Sequence, residues 1–159
     1  MARREIEPIR CIVEIEGDAD QVFHHFVNEI GRWWPMGYTW SGAGFMTAHI
    51  DPRSGGKWFE TSAAGEELEW GEVRAFHVGE GIVLSFNIGA DRKPEPRDHH
   101  SEVEFSFIPD GHKTRLIVEH RHLENHGDGA AIREGMASQQ GWPLILASFA
   151  REMRYVYKM

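Results

Sequence analysis

Residues 141–157 read Gly-Trp-Pro-Leu-Ile-Leu-Ala-Ser-Phe-Ala-Arg-Glu-Met-Arg-Tyr-Val-Tyr, and the fold turns on this stretch. Taken with Ile132 and Met136 upstream, the positions Pro143, Leu146, Phe149, Met153 and Tyr157 keep close to one stripe at helical spacing, over more than about six turns. A helix with one such stripe must bury it against another layer. Gly141 and Pro143 interrupt the period. Proline lacks a backbone donor and crowds the preceding turn, so the spacing predicts a kink there or a helix that restarts at Trp142.

Upstream, from Phe45 to His122, the texture is different. Short runs rich in β-branched and aromatic residues fall at 45–50, 57–61, 68–76, 82–88, 102–108 and 114–122, separated by Gly, Pro and Asp breaks. Strands at this spacing with no helix between them predict an antiparallel meander. Val103, Phe105 and Phe107 alternate with Glu102, Glu104 and Ser106; Leu116, Val118 and His120 alternate with Arg115, Glu119 and Arg121, Ile117 being the exception. One face is therefore buried and the other wet. The Pro-bearing stretch Arg92–Asp98 is the best sequence candidate for a mobile loop. At the other end, Cys11, Val13 and Ile15 alternate with Arg10 and Glu14 as a further strand. Asp18 with Gln21 three residues on resembles a capping box. Val22, Phe23, Phe26, Ile30 and Trp33 then follow a helical period that breaks near Asn28, predicting two short helices.

The expected order is thus one strand, two short helices, six strands and a long helix. A strongly twisted antiparallel sheet of seven strands can curl around one amphipathic helix and bury its stripe in the concave face, an α+β arrangement in a single domain spanning residues 1–159. Such a sheet rarely closes completely on its helix, so a cavity between them is expected.

Five motifs, in order, carry a resemblance: Trp33-Trp34-Pro35, Gly55-Gly56-Lys57-Trp58, Trp70-Gly71-Glu72-Val73, Thr114-Arg115-Leu116, and Gly141-Trp142 ahead of a helix. Over about residues 6–157 the chain resembles the bacterial homologues of the C-terminal domain of the heat-shock-protein-ninety ATPase activator. These belong to the START-like, or SRPBCC, superfamily of helix-grip folds, with the birch-pollen allergen and the polyketide cyclases. The resemblance implies a helix-grip fold and a hydrophobic pocket, and one such fold carries many functions. It also raises contact with a chaperone ATPase as a possible role. The eukaryotic activator, however, makes much of its chaperone contact through an additional N-terminal domain, and this sequence opens on the first strand of the grip domain.

Composition narrows the partners. The 159 residues are 41% apolar and 11% aromatic, and 25 Asp and Glu outweigh 17 Lys and Arg for a formal net charge of −8. An acidic body is repelled by phosphate backbones and anionic lipid, so neither nucleic acid nor a membrane surface is an expected partner. No run approaches the roughly 18 apolar residues of a membrane span. Arg3-Arg4 lacks the apolar segment that an export signal needs, and Cys11 stands alone, so a cytoplasmic protein without an internal disulfide is expected.

Six tryptophans (Trp33, Trp34, Trp40, Trp58, Trp70 and Trp142) are a high load for one small domain. Each ring offers a large apolar area and a single N–H donor, which suits a pocket for a small hydrophobic or ring-bearing molecule; plain core is the competing reading for any one of them. The expected lining is Trp34, Trp40, Phe59, Trp70, Phe86, Phe105, Val118, His120, Trp142 and Leu146. His120 and His122, two apart on a strand, would share a face and could chelate a metal if His49 or His77 joined them. Nothing in the sequence supplies that third ligand, and neither metal nor cofactor is expected. His24-His25 and His99-His100 read as surface pairs. A buried His120 could act as a general base in a cyclase- or dehydratase-type reaction if a carboxylate oriented it, with Glu60 and Glu72 the candidates. Nucleophile elbows, phosphate loops, HExxH and CxxC are absent. Gly79-Glu80-Gly81 precedes a strand rather than a helix, which removes a dinucleotide-binding reading.

Overall fold

The computed structural model describes residues 5–35, 45–89, 95 and 99–157. Trp40, and the Arg92–Asp98 stretch apart from Glu95, fall outside these described residues. Strand β1 (Ile9–Glu16) leads into helices α1 (Ala19–Asn28) and α2 (Ile30–Trp33); strands β2 (Phe45–Ile50), β3 (Lys57–Ser62), β4 (Glu67–His77), β5 (Gly81–Phe86), β6 (Ser101–Asp110) and β7 (Lys113–Arg121) follow, then a short 3-10 turn at Leu123–Asn125 and helices α3 (Gly129–Ala137) and α4 (Trp142–Tyr157). The strands form one antiparallel sheet of seven in the order β1-β7-β6-β5-β4-β3-β2. This is the α+β helix-grip arrangement that the sequence predicts.

Local chemistry sets the breaks. The Asp18 carboxylate accepts from the Gln21 N–H at 2.9 Å and caps α1, as the capping-box spacing predicts. The C-terminal stripe is divided into two helices, with α4 starting at Trp142. A Cβ on Gly141 would lie 2.2 Å from the Met136 carbonyl oxygen, so the tight turn between α3 and α4 has room only for glycine. Pro143, in the first turn of α4, costs no helical hydrogen bond.

Register carries the curvature. Trp58 faces Gly71 while Phe59 faces Glu69, leaving Trp70 as an extra residue on β4; a second shift leaves Arg74 extra between Val73 and Ala75. Bulges bend a strand and sharpen its twist, and two of them in β4 turn the β2–β4 half of the sheet over the helices. Trp142, Ile145, Leu146, Phe149, Ala150 and Met153 are the buried face of α4, and α4 packs on β1, α2 and α3. The Phe26 ring of α1 meets Phe105, Phe107, Phe149 and Trp33 with centroids 4.8–5.4 Å apart, so the helices and the concave face share one core. Each large side chain so buried contributes about 1.5–3 kcal/mol.

Candidate functional site

The concave face gathers aromatic side chains from both helices and strands. Trp34, which closes α2 by donating its N–H to the Ile30 carbonyl, has its ring 5.1 Å from Trp70, 5.8 Å from Trp58 and 6.3 Å from Trp142. Phe86 lies 4.9 Å from His120 and 6.5 Å from Trp142, and Phe105 lies 5.7 Å from Trp142. Trp34, Trp70, Phe86, Phe105, Val118, His120, Trp142 and Leu146 are all at most 5% exposed. The structure thus brings together eight of the ten expected residues.

Two do not join them. Trp40 lies outside the described residues. Phe59 sits on the other face of β3, between inward Trp58 and Glu60, and packs against exposed His49 with centroids 5.1 Å apart. The alternation in β3 allows either phase, and the larger indole of Trp58 takes the buried one. Of the two carboxylates weighed, Glu60 is inward and wholly buried, whereas Glu72 is exposed on the outer face and lies 3.7 Å from Arg74. The bulge at Trp70 shifts the phase of β4, which simple alternation does not anticipate.

Polar atoms on this face are matched in pairs. Trp70 Nε1 donates to Glu60 Oε1 at 2.7 Å. Trp58 Nε1 donates to the Ser85 carbonyl at 2.7 Å, passing over Gly71, where a Cβ would lie 1.9 Å from that oxygen. Trp142 Nε1 donates to His120 Nδ1 at 3.0 Å. Among the described residues Trp33 Nε1 alone is a buried side-chain donor without a partner.

From His120 a hydrogen-bonded line runs outward. His120 Nε2 lies 2.7 Å from Ser101 Oγ, Ser101 Oγ 2.7 Å from His126 Nε2, and His126 Nδ1 2.9 Å from Glu95 Oε1. The Gly127 N–H donates to Glu95 Oε2 at 3.0 Å. Elementary donor counting fixes every proton. Indole is a donor only, so His120 Nδ1 is the acceptor and Nε2 carries the hydrogen. Ser101 accepts that hydrogen and gives its own to His126 Nε2, whose Nδ1–H then points at Glu95. Burial, with His126 nearby, drives the His120 pKa from 6.5 down to about 3. Burial also pushes His126 below its ordinary value, with Glu95 opposing. Burial works against ionisation of Glu95, but the Gly127 N–H and His126 outweigh it and hold the carboxyl below its usual range.

His120 is accordingly neutral at physiological pH with both ring nitrogens engaged, a poor general base. The metal reading loses its geometry as well. His122 follows the strand with φ 62° and an exposed side chain, so it does not share the face of His120. No group of three metal-ligating side chains occurs among the described residues. His25, read from the sequence as a surface residue, is half-buried and bonded to Glu152 at 3.0 Å.

Ser101, His126 and Glu95 escape the sequence reading. Ser101 has the phase of Val103 and Phe105, which is a usable signal; His126 and Glu95 lie in irregular segments without any period. Recesses lined by described residues lie elsewhere. One, of about 300 Å³, lies on the side of the sheet that carries Lys57, Glu72 and Arg74. Another, of about 430 Å³, lies between the ends of α1 and α4. Neither is lined by any of the ten expected residues. No helix among the described residues is long and apolar enough to cross a membrane.

Comparison with known proteins agrees with this geometry. An anthrahydroquino-gamma-pyrone synthase, solved as a complex, is 26% identical, with 95% of this chain and 99% of that one covered at a TM-score of 0.66. CalC, a self-sacrificing resistance protein from Micromonospora echinospora, is 28% identical, with 94% and 95% covered at a TM-score of 0.71. A protein from Nitrosomonas europaea, 12% identical over 96% of this chain and 97% of its own at a TM-score of 0.66, shares the fold alone. No curated protein sequence matches. The profile described as activator of Hsp90 ATPase homolog 1-like protein matches residues 17–154. With that match and a helix-grip fold shared with these structures, the chain belongs to the activator of Hsp90 ATPase homologue 1-like family of the SRPBCC superfamily.

Proposed function

We propose that the protein binds a small hydrophobic, ring-bearing molecule between the concave sheet and α4, with Trp34, Trp70, Phe86, Phe105, Val118, His120, Trp142 and Leu146 as its walls. One observation carries the reading: indole and phenyl rings from α2, β4, β5, β6 and α4 converge on one face, with centroids 5–7 Å apart. Rings at these separations touch one another, so a fused-ring guest must part them to enter; once between them it gains from offset and edge contacts as well as from apolar burial. The likeness to a synthase whose name denotes an anthrahydroquinone-pyrone supports a guest of that shape. Binding is preferred to base catalysis by His120, because that ring is held neutral and doubly bonded.

A chaperone-directed role would need an exterior docking face. Of the large apolar residues exposed among those described, Ile12 and Ile108 flank Ile117 on the outer face of β1, β7 and β6, while Val78 and Leu144 belong to a turn and to α4; so few side chains do not by themselves make a docking face. We place the protein in the cytoplasm.

The test is a titration of intrinsic Trp fluorescence, with thermal unfolding in parallel, against a panel of anthraquinones and naphthoquinones. Saturable quenching with a raised Tm, both weakened tenfold or more in Trp34→Ala, is the expected result. If no compound quenches saturably or raises Tm at high micromolar concentration, the reading fails.

A further inference from the structure

Four of the five side chains in the line from Trp142 to Glu95 are almost wholly buried: Trp142, His120 and Ser101 at 0% and His126 at 4%. They join four parts of the chain. Trp142 opens α4, His120 lies on β7, Ser101 opens β6, and His126 follows the 3-10 turn and reaches back to Glu95. The line has an obligate donor at one end, the indole, and an ionised carboxylate at the other. Every hydrogen between them is thereby directed one way.

That one-way order makes His126 a vulnerable link. A proton added at His126 Nε2 turns this atom from acceptor to donor. Ser101 Oγ then receives two N–H groups, from His120 and His126, and its own hydrogen has no acceptor in the line. The only way to rehouse it is for Ser101 to donate to His120 Nε2. His120 must then carry its hydrogen on Nδ1, where it meets the Trp142 N–H head on. Either a buried hydroxyl is orphaned or the Trp142 bond is lost, and each outcome is costly in a dry interior.

We propose that this line is a proton-operated latch: protonation of His126 breaks it and releases the Trp142 end of α4 from β6 and β7. The groups that face His126 set where this happens. Glu95 holds its Nδ1; His99 lies 3.4 Å from the same carboxylate; His120 reaches it through Ser101; and the Phe86 ring of β5 stands 6.2 Å away. His100, bonded to Arg74 of β4 at 3.0 Å, adds a positive influence nearby. Glu95 favours the proton, while burial and the neighbouring histidines oppose it. The latch therefore stays shut at neutral pH and opens below the ordinary histidine range.

Histidine side-chain ¹⁵N NMR and amide-exchange protection factors, which remove the intrinsic pH dependence of exchange, test the latch on the free protein. At neutral pH His120 is expected as the Nε2–H tautomer and His126 as Nδ1–H. On acidification His126 titrates with a midpoint below 6.5, and protection of the Ile145 and Leu146 amides falls at least tenfold with that same midpoint. In His126→Gln the side-chain amide accepts from Ser101 and donates to Glu95 but cannot titrate, so the part of the fall that follows the His126 midpoint disappears. Should that variant not fold, Glu95→Gln removes the favouring charge and shifts the midpoint about one pH unit lower. The latch is overturned if His126 stays neutral down to acid unfolding, if protection is indifferent to its midpoint, or if His126→Gln keeps the wild-type dependence. Because Trp142 walls the proposed site, ligand affinity should follow the same midpoint. That extension alone rests on the binding reading, and the exchange data judge the latch without it.

Discussion

Acid should destabilise this protein through its buried imidazoles, and the share that His120 contributes follows from its displaced pKa. His120 is wholly buried, and its pKa falls from 6.5 to about 3 on folding. Its folded value is depressed, so its contribution is fully present above 6.5 and declines as the pH falls toward 3, where the unfolded chain takes up the proton and the folded one does not. At 1.36 kcal/mol per pKa unit, moving from pH 7 to pH 5 costs about 2 kcal/mol, and pH 4 costs about 3 kcal/mol. Against a typical domain stability of about 5–15 kcal/mol, that is a large fraction. A second effect runs the other way, since titration of the excess carboxylates relieves the self-repulsion of a chain with net charge −8. The decisive quantity is therefore a difference. Urea unfolding of wild type and His120→Gln should be measured at pH 7 and pH 5. The glutamine amide can serve Trp142 and Ser101 without titrating, so the variant should be less stable at pH 7 by about 1–3 kcal/mol and less sensitive to pH by about 2 kcal/mol. Identical pH slopes in the two proteins would refute the reasoning.

Other substitutions probe separate parts of the site. Gly71→Ala places a methyl group 1.9 Å from the Ser85 carbonyl oxygen and across the Trp58 hydrogen bond; it should cost 3 kcal/mol or more, or prevent folding, by thermal or urea unfolding. Glu60→Leu leaves the buried Trp70 N–H without its acceptor and should lower stability by about 1–3 kcal/mol, whereas Glu60→Gln should recover most of the loss. Phe59→Ala, on the outer face, should cost less than half of what Trp70→Ala costs, about 3–5 kcal/mol for the buried indole, and should leave quinone quenching of Trp fluorescence unchanged.

What the sequence discloses depends on whether a period survives. In β6 and β7 no bulge intervenes, and Val103, Phe105, Phe107, Leu116, Val118 and His120 all lie where simple alternation puts them. In β4 the extra residue at Trp70 makes Trp70, Gly71 and Val73 the buried positions, a spacing that no alternation template matches, and Glu72 ends outside. The break at Gly141 is readable because glycine and proline punctuate the helical period there. The line beyond His120 is legible only in part. Ser101 could have been found by extending the phase of β6 two residues back. Neither His126 nor Glu95 could, because irregular backbone has no face to extrapolate, and only the tertiary fold brings position 95 to position 126. Whether a buried His120 is free to act as a base is illegible for a related reason. Sequence shows a buried imidazole but not the indole and hydroxyl that occupy its two nitrogens.

The strand order also says something about how the chain comes together. From β2 to β7 each strand pairs with its successor, so that part can assemble by closing short hairpins. Strand β1 cannot: its Ile9 stands opposite His120, more than a hundred positions along, and that closure carries the largest loop entropy in the molecule. The β1–β7 seam should therefore dock after the meander has formed. A substitution such as Ile15→Ala, at a wholly buried site on β1, should chiefly hasten unfolding and leave the refolding rate nearly untouched, making the first strand the last stitch of the native state.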